Sequence, residues 1–287
     1  MLGTHQVFSE VPDLVESLLG INVSQSQVYR SVQTGSKLME DPCLPSTNLQ
    51  QNQDQTDKPV YGMVDGSFLC TDAGWKEIKV GRVFTATADE STPLKWTMDQ
   101  SEYIAQRGHY IGFTEKFEQL LPPESRCKKV FITNGASWIT NWLTTTYSDS
   151  LQILDFYHVC EKLALASQLA GCKKDWFEQQ KALLLTGETS AVCSTIKQLN
   201  RFEGQVELLN YLEKNLFRMR YDDYRRKGLM ISSGPIESAH RTVLQIRMKR
   251  SGQRWSDGGC DSMIKLRTAY RSAKSSLITN VLKKQAA

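Results

Sequence analysis

Apolar residues recur along this chain with two different periods, and the change from one to the other divides it. Residues 9–33, SEVPDLVESLLGINVSQSQVYRSVQ, read as two short helices. Pro12 suits the start of the first, Gly20 its C-terminal stop and Ser24 the N-cap of the second, which carries Val28 and Val32 four apart on one face. A glycine turn followed by a helix bearing Gln25, Gln27 and Arg30 has the outline of part of a helix-turn-helix, an outline shared by any αα-hairpin. The reading is a helix-turn-helix-like module over 1–33. From Thr34 to Pro59 no apolar period persists, and the Gln, Asn, Asp and Pro content predicts a flexible linker over 34–59.

The period then shortens. PVYGMVDGSFL and EIKVGRVFTAT are rich in strand formers and are expected to pair antiparallel, with Ile78, Val80, Arg82 and Phe84 on different faces. A helical stretch is expected near 101–121, then a strand KKVFITNG ending in Asn134-Gly135, a helix over 136–147 and a short buried strand in LQILDFYHV. Antiparallel strands followed by strand–helix–strand alternation predict an α/β fold, a mixed sheet covered by helices, whose first part spans 60–160. From Glu161 the pattern is helical, with Leu208, Leu209, Leu212 and Leu216 on one face, so an all-helical insertion is expected over 161–232. GPIESAHRTVLQIRMKR opens a further helix at Gly234 and Pro235, and 233–287 completes the domain with a basic C-terminal region.

Composition narrows the class. In 287 residues, 40% hydrophobic and 23% charged, there is enough apolar material for a sizeable core. No stretch approaches the roughly 20 apolar residues of a membrane span, and MLGTHQVFSEVPDLVESLLG lacks the pattern of a secretory leader. The seven cysteines are scattered without a C-x-x-C pair, so reduced thiols and a cytoplasmic location are expected. The net charge of +4 conceals an asymmetry: residues 218–287 carry sixteen basic against five acidic residues, +11, and the first 217 carry −7. A polyanionic partner for the basic segment is one reading, and a solvated basic surface is the other.

Three acidic residues need a reason for their places. Asp65 ends the run VYGMV, Asp155 ends LQIL with His158 three residues on, and Glu237 stands in the first turn of a helix. Carboxylates converging on one sheet edge suit Mg²⁺, and paired ions support in-line attack at phosphorus. Each also has a plain alternative. Asp65-Gly66 makes a good turn, Glu237 favours the helix dipole, and Asp155 with His158 makes a buried pair holding the strand end. Zinc on His158 and Cys160 is excluded because no further ligand has the right spacing.

The segments VDGSFLCTDAGWKEIKVGRVF, VFITNGASWITNW, ILDFYHVCEKL and SGPIESAHRTVLQIRMKRSGQRWSDGGCDSMIKLRT resemble, in order, the motifs of bacterial insertion-sequence transposases of the Kra type, relatives of Mutator-like transposases. The resemblance implies a ribonuclease H-like domain with an Asp-Asp-Glu triad and Mg²⁺, or Mn²⁺, as cofactor. It also implies double-stranded DNA, at terminal inverted repeats, as partner, a homodimer for paired ends, and a nucleoid-associated place in a bacterial cytoplasm. By position Asp65 matches the first triad aspartate, Glu237 the glutamate, and Asp155 with His158 an Asp-x-x-His element. The second aspartate's place is held by Asn134, which lacks the charge and one oxygen of a metal-ligating carboxylate. Cleavage and strand transfer are therefore expected to be weak or absent, with Asp72, Asp149 and Asp155 as candidate substitutes. A non-catalytic repressor and a nuclease without strand transfer are the competing expectations. His240, Arg241, Arg247, Lys249, Arg250 and Arg254, with Arg30 from the first module, are expected to meet phosphates while Trp255 stacks. The competing reading is ordinary surface charge around one core tryptophan.

Overall fold

In a computed structural model, residues 1–42, 58–89, 91, 95–122, 127–272 and 274–286 are described. The chain is α/β, with a five-stranded mixed sheet flanked by helices. Strands β1 (Val60–Thr71), β2 (Gly74–Ala88), β3 (Trp96–Arg107), β4 (Lys129–Thr133) and β5 (Leu151–Leu154) lie in the order β3-β2-β1-β4-β5. β1 and β2 form the expected antiparallel pair from Tyr61↔Phe84 to Thr71↔Gly74, and β2 pairs β3 antiparallel with a bulge at Thr85/Ala86. β4 and β5 run parallel to β1.

Period-2 alternation sorts the side chains. Val60 and Val64 face one apolar cluster with Phe113, Phe117, Trp142 and Leu143, under helices α4 (Tyr110–Leu120) and α5 (Ser137–Thr146). Tyr61, Met63, Ile132 and Ile153 face the larger cluster on the other side. Ile78, Val80 and Phe84 also lie there together, and Arg82 lies with them, its guanidinium 4.9 Å from the Tyr103 ring and Nη1 donating to Pro235 O at 3.0 Å. The expectation of different faces is thereby corrected, since residues two apart on a strand share one. Gly81 lets Phe117 press on the sheet, because a Cβ there would lie 2.6 Å from that ring.

Helices cover the larger cluster. After β5 come α6 (Phe156–Leu169), α7 (Lys174–Leu185), α8 (Thr189–Gln198), α9 (Gln205–Asn215) and α10 (Tyr221–Arg226). Helix α11 follows, running through Gly234–Ala239, a π-helical segment His240–Gln245 and Ile246–Met248, and then α12 (Asp257–Arg271) and α13 (Ser275–Ala286).

Near the N-terminus lie α1 (Leu2–His5), α2 (Val11–Leu19) and α3 (Gln25–Leu38). Gly20 ends α2 with φ 66°, and Ser24 caps α3 in a reciprocal box with Gln27. These helices dock on α12. Gln33 accepts from Ser262 at 2.9 Å, Lys265 donates to Ser36 O and Met39 O, Arg267 donates to Thr4 O, and Val32 and Met39 enter the main core.

Two boundaries differ from the sequence reading. The linker cannot begin at 34, since α3 runs to Leu38, and residues 43–57 of that linker lie outside the described residues. The helix expected near 101–121 starts only at Tyr110, because Trp96–Arg107 is drawn into the sheet by eleven residue pairs with β2. The six described cysteines are free. Among the described residues no helix is long and apolar enough to cross a membrane.

Candidate functional site

Strand register builds the site. Met63 pairs with Ile132 in β4, and Thr133 pairs with Leu154 in β5. One or two residues further on, Asp65, Asn134 and Asp155 therefore form one row, Asn134 and Asp155 just past the carboxyl ends of β4 and β5 and Asp65 within β1 just past its pairing with β4, on the face that carries Met63, Ile132 and Ile153. Ligands of open α/β sheets gather at such ends. Asp65 is not a turn residue as one reading had it: β1 continues through it to Thr71, with Asp65 opposite Val80.

Helix α11 brings Glu237 to this row. It packs on β1 and β2 and is tied down by the Arg82–Pro235 bond. Asp65 and Glu237 line two adjoining cavities. A 220 Å³ cavity also holds Asn134, Asp155, His158 and Ser233, and a 610 Å³ cleft also holds Ser67, His240, Arg241 and Gln245. The π-helical segment begins at His240, a distortion frequent beside functional sites.

The polar groups of the row are mutually engaged. Asn134 Nδ2 donates to Asp65 Oδ1 at 3.0 Å, while Asn134 Oδ1 accepts from Ala136 N at 3.0 Å, which fixes the amide's orientation. Tyr211, unannounced by the sequence, donates to Asn134 O at 2.9 Å. Gly135 has φ 84°, and a Cβ there would lie 3.0 Å from both Leu154 and Tyr211, so this turn needs glycine. His240, only 6% exposed, places Nε2 3.3 Å from Asp65 Oδ2, an ion-pair distance without hydrogen-bond alignment. Burial alone would raise the Asp65 carboxyl, but His240, the Gly66 N–H and the charge of His158 outweigh it and hold it below the usual value of 3.8.

Asp155 has a structural task. It caps α6, Oδ1 accepting from Tyr157 N at 3.1 Å and Ser233 N at 3.0 Å, and Oδ2 from His158 N at 3.2 Å. Burial nevertheless lifts its carboxyl above the usual 3.8. The expected Asp155–His158 pair is corrected in detail: the link is to the backbone N–H, and the His158 ring instead faces Glu161, Nδ1 to Oε2 3.5 Å. Glu237 Oε1 accepts from Ser233 Oγ at 2.7 Å, which makes Ser233 a hinge between Asp155 and Glu237 that the sequence did not signal. Asp72 lies in the β1–β2 turn and Asp149 in the loop before β5, and neither lines the two cavities.

A divalent cation is implied by the resemblance, and the donor set does not fit one as arranged. Asn134 turns its NH₂, not its carbonyl, toward Asp65. Both oxygens of Asp155 already accept from backbone N–H groups, two on Oδ1 and one on Oδ2. Among the described residues no group of three or more His, Cys, Asp or Glu side chains is placed to hold a metal ion.

The expected phosphate contacts divide. Arg30, Arg241, Lys249 and Arg254 are exposed, Lys249 donating to Ser67 Oγ. Arg250 is half-buried against Glu10 at 3.3 Å. His240 is buried in the wall of the 610 Å³ cleft, facing Asp65. Arg247, 1% exposed, lies between Phe8 and Trp255, with Cζ 4.7 and 5.2 Å from the ring centroids. Trp255 is itself buried, joined to β1 through Trp255 N to Cys70 O and Asp72 N to Trp255 O, with Nε1 donating to Met248 O at 3.0 Å. It is therefore the core tryptophan of the competing reading and offers no open face for base stacking. No protein-family model matches this chain, and no curated protein matches it.

Proposed function

We propose that the chain is a DNA-binding protein of the transposase lineage whose phosphodiester chemistry is weakened or lost at Asn134. The ordered motifs support the lineage, and a mixed sheet flanked by helices suits the ribonuclease H-like domain it implies. The row of Asp65, Asn134 and Asp155, lining one cavity with Glu237, is where such chemistry would be housed.

The observation that carries the reading is the 3.0 Å bond from Asn134 Nδ2 to Asp65 Oδ1. A second carboxylate at this position would face Asp65 with like charge and call for a cation between them. The amide replaces that demand with a hydrogen bond from an uncharged donor to the Asp65 carboxylate, so the two side chains meet without an ion. Exposed Arg30, Arg241, Lys249 and Arg254 supply the sequence-independent part of DNA binding, and inverted repeats bound as a dimer complete the reading.

A strand-transfer assay with matched DNA ends and Mg²⁺ or Mn²⁺ tests it. The expected outcome is little or no joined product from the chain as it stands and a gain on Asn134→Asp. Robust joining without any gain on that substitution overturns the reading. The same bond also favours a second reading, a repressor that binds element ends without cutting them. It predicts salt-dependent end binding that survives Asp65→Asn and Glu237→Gln, measured by titration at several salt concentrations. Nicked but never joined product would instead identify a nuclease.

A further inference from the structure

Where α3, α12 and the end of α11 meet lies a 340 Å³ cavity separate from the carboxylate row. Its wall contains two cations, Arg247 and Arg254, and no acidic residue among the described residues that line it. Arg247 is held by the rings of Phe8 and Trp255 and by one donated bond, Nε to Gly3 O at 3.3 Å, while its Nη2 is buried without a partner. A buried guanidinium nitrogen left unpaired is costly, and an acceptor entering the cavity that Arg247 lines would offset that cost.

The surroundings specify that acceptor. Gln25 is the first residue of α3, a 14-residue helix, and Ser256 is the N-cap of α12, a 15-residue helix, and both line the cavity. Two helix N-termini and two guanidinium groups thus converge on one space, an arrangement complementary to a phosphate. Burial and the neighbouring Arg250 bring Arg247 down to about 10, a drop that a bound anion would reverse. Tyr29 adds a half-open ring at the rim, its hydroxyl 3.4 Å from Ser256 Oγ. The volume falls within the roughly 300–1,000 Å³ of small-ligand sites.

We propose that this cavity binds the phosphate of a nucleotide, with Arg247 and Arg254 on its oxygens and the Tyr29 ring beside its base. Two sources carry that group: a free nucleotide and the 5′-phosphorylated end of a DNA strand. The second source rests on the function proposed above, and the phosphate site does not.

Calorimetric titration of the full chain at constant ionic strength tests it with inorganic phosphate, dAMP and deoxyadenosine. Phosphate and dAMP are expected to bind and deoxyadenosine not to. Arg254→Gln is expected to weaken dAMP about tenfold, the scale of one lost charge-assisted bond. Arg247→Met should abolish binding, and because that change can also disturb the core, Arg254→Gln decides the matter. Binding of dAMP no tighter than that of deoxyadenosine, or unaltered by Arg254→Gln, overturns the proposal. Two oligonucleotides differing only in a 5′-phosphate separate the sources. Tighter binding of the phosphorylated strand identifies the DNA end, and equal binding with dAMP still bound identifies the free nucleotide. Robust strand joining with no gain on Asn134→Asp, with dAMP binding intact, would sink the proposed function and leave this site standing.

Discussion

At position 134 a single nitrogen sets the electrostatics of the strand-end row. Asn134→Asp would set two carboxylates at the 3.0 Å now spanned by a hydrogen bond. Without divalent ions this variant should lose about 1–3 kcal/mol of stability, and Mn²⁺ should restore part of it, as thermal melts with and without the ion would show. Asp65 and Asp155 should respond to pH in opposite senses. The Asp65 carboxyl lies below 3.8 when folded, so its contribution is complete above that pH and is lost as pH falls through the lowered value. Asp155 lies above 3.8 when folded, so its contribution is complete below that pH and is lost as pH rises through the raised value. Urea unfolding between about pH 2 and about pH 7 should therefore find the acid-side loss smaller in Asp65→Asn than in the parent chain. Asp155→Ala, which strips three N–H groups of their acceptor, should cost about 2–4 kcal/mol in the same assay.

Within the elements, the turn after β4 is the most constrained place. Gly135→Ala puts a Cβ against Leu154 and Tyr211 at positive φ, and a loss of about 1–3 kcal/mol is expected in thermal or chemical unfolding. Pattern alone located β1, β2, β4 and β5, since Val60–Val64, Val130–Ile132 and Ile153–Leu154 are short apolar runs and Ile78–Phe84 is rich in β-branched and aromatic strand formers. β3 escaped because TMDQSE is polar, and only pairing with β2 makes it a strand. α12 escaped because DGGCDS is poor helix material, yet the Ser256 cap and nine buried residues fix it. Asp65 and Glu237 were legible as carboxylates out of place. Ser233 and Tyr211 were not, because a hydroxyl that bonds one particular neighbour leaves no trace in periodicity.

Across the whole molecule, part of the +11 of residues 218–287 is engaged by the protein itself. Arg218 and Arg267 are buried, Lys265 and Lys274 bond backbone carbonyls, and the exposed Arg226 and Lys227 pair with Asp222 and Asp223. Charge counted along a sequence cannot tell a cation that binds the protein from one that binds a partner. DNA titrations over a range of salt can. Arg241→Gln and Arg254→Gln should each lower the slope of log K against log salt by about 0.9, whereas Lys265→Met should leave the slope alone and lower the melting temperature.

The docking of α3 on α12 also fixes an order of events in synthesis. Gln33 and Ser262, bonded in the folded chain, are 229 residues apart, an interval of roughly 10–50 s at ordinary elongation rates. For that time Val32 and Met39 have left the ribosome while the helix that covers them does not yet exist. The nascent chain thus carries these apolar side chains of an otherwise polar segment uncovered past every earlier stage of its own assembly, and chaperone occupancy there should end once α12 emerges.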